Sequence, residues 1–328
     1  MYRMKAKFHS EQNWLRLRQT ELIRVRIFDI QGRYPKAHIV LPSGFYHAEE
    51  DLAILVTKGY SWNHYSEACT FDELGWPFPA ESIFLGSMIL CEKIDEACIN
   101  FYPRQEPIFL LDPSSVDLNS QVSREQIINL VRETSQWPVH PLSRDYYKTF
   151  LSKRFDLFDS DALDLSSLNK TWSLINSHDF VLLRGLTSLI KSDMLSRHRE
   201  FGTEALMSLY ITLECSFQLV LEFLKKNGIP NPTASDAAQW MHKVFDSHFN
   251  FEEPDPSYKY YQEFYEGRII MFHPRSRFGD LPLAPNFWDD VIHLRRSLPQ
   301  VFAYLLRGEH SDDFLASVDE FHGKGRAT

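Results

Sequence analysis

The sequence predicts an α+β protein, with a mixed α/β region towards the N-terminus and an all-α helical bundle towards the C-terminus. Three observations predict it. Ile23-Arg-Val-Arg-Ile-Phe-Asp-Ile30 alternates apolar and charged residues, the period of a strand with one face buried. From Asp179 onward the apolar period lengthens to three and four residues, most clearly along Leu206, Leu209, Leu213, Phe217, Val220 and Leu224. Between these regions, Asp159 to Ser177 is rich in Ser, Asp and Asn, which places a domain boundary within 140–178.

In the N-terminal region, Gln31-Gly-Arg-Tyr-Pro35 has turn chemistry, and Ala37 to Leu41 is expected to pair back on the first strand as a hairpin. Leu52 to Val56 and Ile108 to Leu111 are further strands. Ser82 to Ile99 stays open between one helix and two strands, because a short apolar run does not separate the two. Ser123-Arg-Glu-Gln126 has the form of a capping box opening a helix with Ile127, Ile128 and Val131 on its apolar face. Trp137-Pro-Val-His-Pro141 stops that helix.

The helical half begins with a stripe of Phe180, Leu183, Leu186, Ile190 and Met194. The helix after it ends at Asn227-Gly228, with Lys225 and Lys226 suited to the negative end of the dipole and Pro230 beyond. Thr233-Ala-Ser-Asp236 caps a shorter helix that turns Ala237, Trp240, Met241, Val244 and Phe245 inward. Asn286 with Asp289 opens a closing helix, its stripe Phe287, Val291, Ile292, Leu298, Phe302 and Leu305, and Pro299 is expected to kink or break it. The polar sequence from His310 suggests a fraying tail. The expected organisation is a mixed domain over 1–150, a helical bundle over 170–310 and a flexible tail over 311–328.

With 328 residues and a net charge of −9, the chain as a whole is no polyanion binder, so a nucleic-acid site requires a local basic patch. Four cysteines without CxxC spacing fit reduced thiols in the cytoplasm. The basic N-terminus has no apolar core behind it, so no signal peptide is expected, and no stretch is expected to span a membrane. There is no GxxxxGK[ST] or GxGxxG phosphate loop. His47, His64 and Cys69, with Asp51 and Glu67 nearby, fit no zinc spacing, so neither a metal nor a cofactor is expected.

Chemistry concentrates in Tyr258-Lys-Tyr-Tyr-Gln-Glu-Phe-Tyr-Glu-Gly-Arg-Ile-Ile-Met-Phe-His273, followed by Pro-Arg-Ser-Arg. Tyr261, Phe264, Tyr265, Arg268 and Phe272 share one face of a predicted helix. A guanidinium among aromatics stays charged and requires a partner. Arg268-Ile-Ile-Met-Phe-His273 resembles the arginine, four-to-six residues, histidine motif of the HEPN superfamily of helical domains. The resemblance covers roughly the last 130 to 150 residues, a normal size for one domain.

The resemblance implies a helical bundle that forms a homodimer and acts as a metal-independent endoribonuclease, in the manner of a toxin or antiviral-defence effector. RNA would be its partner, Arg268 would hold the phosphate and His273 would move the proton. That assignment suits the chemistry, since RNA carries its own nucleophile in the 2′-hydroxyl. Its cleavage needs proton transfer near neutrality and a fixed cation on the phosphate. Arg275, Arg277, Arg295 and Arg296 would make the cleft basic. Glu214 interrupts the second apolar face of the long helix. It is either a carboxylate that orients Arg268 or substrate, or an edge residue with its head in water. Two positions depart from the pattern: Ile269 stands where active members commonly carry a polar residue, and Pro274 where glycine is frequent. The alternative is a non-catalytic HEPN-like module for dimerisation or for binding nucleotide or RNA.

Overall fold

The structure is a computed structural model that describes residues 23–58, 76–93, 99–104, 109–134, 155–249, 261 and 288–323. In chain order its elements are β1 (Ile23–Ile27), β2 (Arg33–Lys36), β3 (His38–Leu41), β4 (Gly44–Glu49), β5 (Leu52–Lys58), α1 (Pro79–Ile89), β6 (Phe109–Leu111), α2 (Gln121–Thr134), β7 (Asp156–Asp159), α3 (Leu165–Leu174), α4 (Phe180–Ser196), α5 (Gly202–Lys226), α6 (Ala234–Val244), α7 (Trp288–Arg307) and α8 (Asp312–Phe321). An N-terminal antiparallel sheet is followed by a mostly helical C-terminal region, so the protein is α+β overall.

The chain divides into two compact units, Met1–Leu85 with Ile99–Ala162, and Gly86–Cys98 with Leu163–Thr328. The chain passes between the units after Leu85, Cys98 and Ala162. The segment after α1 belongs to the helical unit for a local reason: Glu92 bridges to Leu163, and Arg307 Nη2 donates to the Leu90 carbonyl at 2.8 Å.

In the first unit the sheet order is β3-β4-β5-β1-β6. Ile23, Val25 and Ile27 of β1, with Ile54 and Val56 of β5, pack on Ile127, Ile128 and Val131 of α2. The opposite face of β1 was expected to meet water, yet Arg24 and Arg26 are only 5% and 2% exposed. Pairing makes this tolerable. Arg26 Nε donates to Glu81 Oε1 at 2.9 Å and Nη2 to Oε2 at 3.3 Å, while the Arg24 guanidinium lies 4.2 Å from the centre of the Phe78 ring.

The expected hairpin between β1 and β3 does not form. β3 pairs instead with β4, Leu41 opposite Gly44 across Pro42 and Ser43. Gly44 has φ +154°, and a Cβ there would stand 1.9 Å from the Val56 carbonyl oxygen, so the close β4–β5 approach requires glycine. Of the predicted turn Gln31–Pro35, Gln31 and Gly32 do turn, with Gly32 N donating to the Asp29 carbonyl at 3.1 Å, whereas Arg33–Lys36 form β2 and pair in parallel with β7. Ser82 to Ile99 resolves as the helix α1 at its start. α2 opens before the predicted capping box, with Arg124 N donating to the Ser120 carbonyl at 3.1 Å.

In the helical unit, α4 and α5 pack along each other, joined through a 3-10 turn at Arg199–Phe201, and α7 packs on α5 and α3. Leu206, Leu209, Leu213, Val220 and Leu224 of α5 are buried, as the periodicity predicts. α5 also has the length and apolarity of a membrane span, contrary to the sequence expectation, with 44% of its most apolar window buried inside the protein; the core helix of a soluble protein passes the same test. The Thr233–Asp236 capping box opens α6 as expected.

α7 runs continuously through Pro299, so the proline does not break the helix, and buried Leu298, Val301 and Phe302 lie beside it; the inward stripe also includes Val291 and Leu294, whereas Ile292, which the spacing placed on it, is 52% exposed. The expected tail contains α8, where Ser311 Oγ accepts from Phe314 N at 3.2 Å. Buried Phe314 stacks on His310, ring centres 4.1 Å apart, and meets Phe245 edge-on. A cap and one aromatic anchor outweigh a polar composition.

Candidate functional site

The closing helix α7 carries two adjacent arginines in opposite environments. Arg295 turns inward and is 7% exposed. Its Nε donates to Asp193 Oδ1 of α4 at 2.6 Å, and Nη1 and Nη2 reach the Glu92 carboxylate at 2.9 and 3.0 Å. The guanidinium predicted to meet substrate thus ties α7 to α4 and to the segment after α1. Burial pushes the Asp193 carboxyl up to about 7 despite the opposing pull of Arg295. Arg296 lies about 100° further round the helix, is exposed, and enters no ion pair among the described residues.

Arg296 sits where two concavities adjoin. The first, about 510 Å³, opens between Leu90–Lys93, the start of α3, α7 and the start of α8. The second, about 500 Å³, opens between the end of α6, the 3-10 turn Asp246–Phe249 and α7. Phe245, Arg296, Gln300 and Phe314 line both. Each volume falls in the range of small-molecule sites, about 300–1,000 Å³.

Polar groups surround the second concavity. Asp246 Oδ2 lies 3.8 Å from His242 Nδ1 one turn back. Burial raises the Asp246 carboxyl, opposed by His242 and by His293 of α7. Sequence reasoning missed this group; the four-residue spacing of His242 and Asp246 was visible, but not the return of α7 that adds His293. In the first concavity, burial and neighbouring His248 lower the His310 imidazole.

Glu214 is half-buried on α5. Arg268, His273, Arg275 and Arg277 lie outside the described residues. Within the motif segment Tyr261 is described: it is 5% exposed, its ring centre is 5.0 Å from that of Phe217 on α5, and Ser216 Oγ stands 3.4 Å from its hydroxyl.

The sheet unit has a groove of its own, about 590 Å³, between β3, β4 and α2. The strand register sets His38 opposite His47, with their Nδ1 atoms 3.4 Å apart. Burial lowers both imidazoles below their ordinary value. Arg132 pairs with Glu49 and, at 3.2 Å, with Asp51. His64, Glu67 and Cys69 lie outside the described residues, and among the described residues no group of three His, Cys, Asp or Glu side chains is placed to hold a metal.

No protein-family model matches the chain, and neither does any curated protein or solved structure.

Proposed function

We propose that the protein is a metal-independent endoribonuclease of the HEPN type, acting as a homodimer in the cytoplasm as a toxin or antiviral-defence effector. The observation that carries the reading is the Arg268 to His273 spacing, in a segment whose Tyr261 is seated against the central helix α5. In the sequence Arg268 follows seven residues after that anchor. In the proposed reaction the ribose 2′-hydroxyl attacks the adjacent phosphorus. Its proton passes to a base, the bond to the leaving 5′-oxygen breaks, and that oxygen takes up a proton, leaving a 2′,3′-cyclic phosphate. His273 serves proton transfer near neutrality, and Arg268 holds the charge that builds on the phosphate. Arg275, Arg277 and Arg296 are assigned to substrate, with Arg295 positioning α7 and Glu214 orienting Arg268.

The test is cleavage of RNA by the purified full chain in EDTA. The expectation is that His273→Ala and Arg268→Ala each lower the rate by roughly 100-fold or more, the scale of a lost proton-transfer or charge-stabilising group. Cleavage that survives both substitutions overturns the assignment. Ile269 and Pro274 favour a second reading, a dimerising module that binds nucleotide or RNA without cutting it; a dimer that binds RNA and leaves it intact would establish that reading instead.

A further inference from the structure

Two imidazoles of the sheet unit leave their ring nitrogens poorly satisfied. His38 of β3 stands directly opposite His47 of β4, so both side chains leave the sheet on one face, with their rings inclined at 68°. Their Nδ1 atoms are 3.4 Å apart, beyond the roughly 2.7–3.2 Å of a good hydrogen bond. Nε2 of His47 is buried with no hydrogen bond among the described residues, and Glu49 Oε1 lies 3.6 Å from it. Both rings are held in place: His47 is 7% exposed, and His38 packs on Phe45 with ring centres 5.6 Å apart.

One metal ion accounts for both observations. Two zinc–nitrogen bonds of about 2.05 Å that span 3.4 Å enclose about 110°, close to the tetrahedral angle. With metal on Nδ1, His47 carries its proton on Nε2, on the side of Glu49. A carboxylate behind a ligating imidazole fixes its tautomer and raises its basicity. Copper(II) and nickel(II) favour tetragonal angles of about 90°, and magnesium and calcium favour oxygen ligands. We propose that His38 and His47 bind a divalent ion of the zinc type through Nδ1, with Glu49 as the outer partner of His47. Two protein nitrogens are one fewer than a catalytic zinc commonly has, so two positions remain for water in the groove between β3, β4 and α2. Glu49 and Glu125 line that groove with Arg124 and Arg132, and both arginines are engaged. Arg124 Nη1 donates to the Leu118 and Asn119 carbonyls at 2.8 and 2.9 Å, and Arg132 pairs with Glu49 and Asp51.

The consequence is mechanical. β3 is an edge strand of four residues, joined to the sheet through β4. His38 and His47 form the register pair furthest from the turn at Pro42 and Ser43. An ion there clips the end of the edge strand that the turn does not hold. The site does not depend on the ribonuclease reading, which needs no metal.

The experiment titrates zinc chloride into the metal-stripped full chain by calorimetry and follows hydrogen exchange of β3 in zinc and in EDTA. At free zinc tenfold above the dissociation constant, exchange across His38–Leu41 should slow about tenfold. His47→Ala should abolish that protection. His38→Phe keeps a ring against Phe45 and removes the nitrogen, so it should melt with the parent in EDTA and lose the protection. Glu49→Gln should weaken zinc binding roughly 10- to 100-fold, the scale of a lost outer partner. Magnesium should leave β3 exchange unchanged. Zinc-dependent protection of β3 that survives His38→Phe overturns the site. So does zinc binding that leaves β3 exchange unchanged, or no zinc binding at all.

Discussion

Asp193 is buried beside Arg295, and its carboxyl is raised from 3.8 to about 7 because burial outweighs the attraction of the guanidinium. Between those values the folded chain holds a proton that the unfolded chain has released. This residue's contribution to stability is therefore full below about 3.8 and is lost as pH rises through 7. The slope is at most about 1.4 kcal/mol per pH unit. Asp193→Asn, which stays neutral, should gain on the parent in melting temperature as the pH is raised from about 5 to 8, and parallel melting curves for the two proteins would refute it. Arg26 presents the same physics with another outcome, two donors on one carboxylate 55 residues away. Such pairs were not legible in the sequence. Alternation of charged and apolar residues gives the period of β1, but the partner that makes a charged face tolerable comes from a distant element. For that reason Arg24, Arg26 and Arg295 were all expected nearer to water or substrate than they are.

Elements were more legible where one period ran over many residues. The stripe of α5 and the capping box of α6 are local patterns, and both appear where the spacing put them. The failures arise where a tertiary contact decides: β3 pairs forward to β4, and α8 forms on the strength of Ser311 and Phe314. Packing among the helices is also invisible to periodicity. At Gly185 of α4 a Cβ would stand 2.7 Å from Phe302 Cζ of α7 and 3.2 Å from Cys215 Cβ of α5. Alanine ordinarily gains about 1 kcal/mol over glycine inside a helix. Overpacking a filled core costs about 1–3 kcal/mol, and the Phe302 ring is fully buried. Gly185→Ala should therefore lower the urea midpoint of the full chain. Gly86→Ala is the control: its new Cβ would stand 2.8 Å from Leu186 Cδ1 and 3.3 Å from Leu186 Cβ and Cδ2, and the methyl at the shortest contact can turn aside where the Phe302 ring cannot, so its effect should be smaller. A Gly185→Ala protein more resistant to urea than the parent would show that α4 has room the geometry denies.

At the scale of the whole molecule, a chain of net charge −9 would have to gather its cations to meet RNA as the proposed function requires, and the motif offers only one arginine and one histidine per copy at its centre. Two copies about a twofold axis would bring two such pairs into one cleft, and that arrangement makes a prediction about mixing. Suppose each reaction centre takes Arg268 from one protomer and His273 from its partner. A heterodimer of Arg268→Ala with His273→Ala then contains one centre with both groups intact and one with neither. Random reassortment makes half the dimers mixed, so the blend should recover about a quarter of the parent's activity although each variant alone is silent. Centres built within one protomer recover nothing, because no chain in the blend carries both groups. Cleavage assayed before and after the two proteins are dissociated and reassociated together separates the outcomes. Sedimentation of the parent at the same concentrations supplies the dimer population against which recovery is judged.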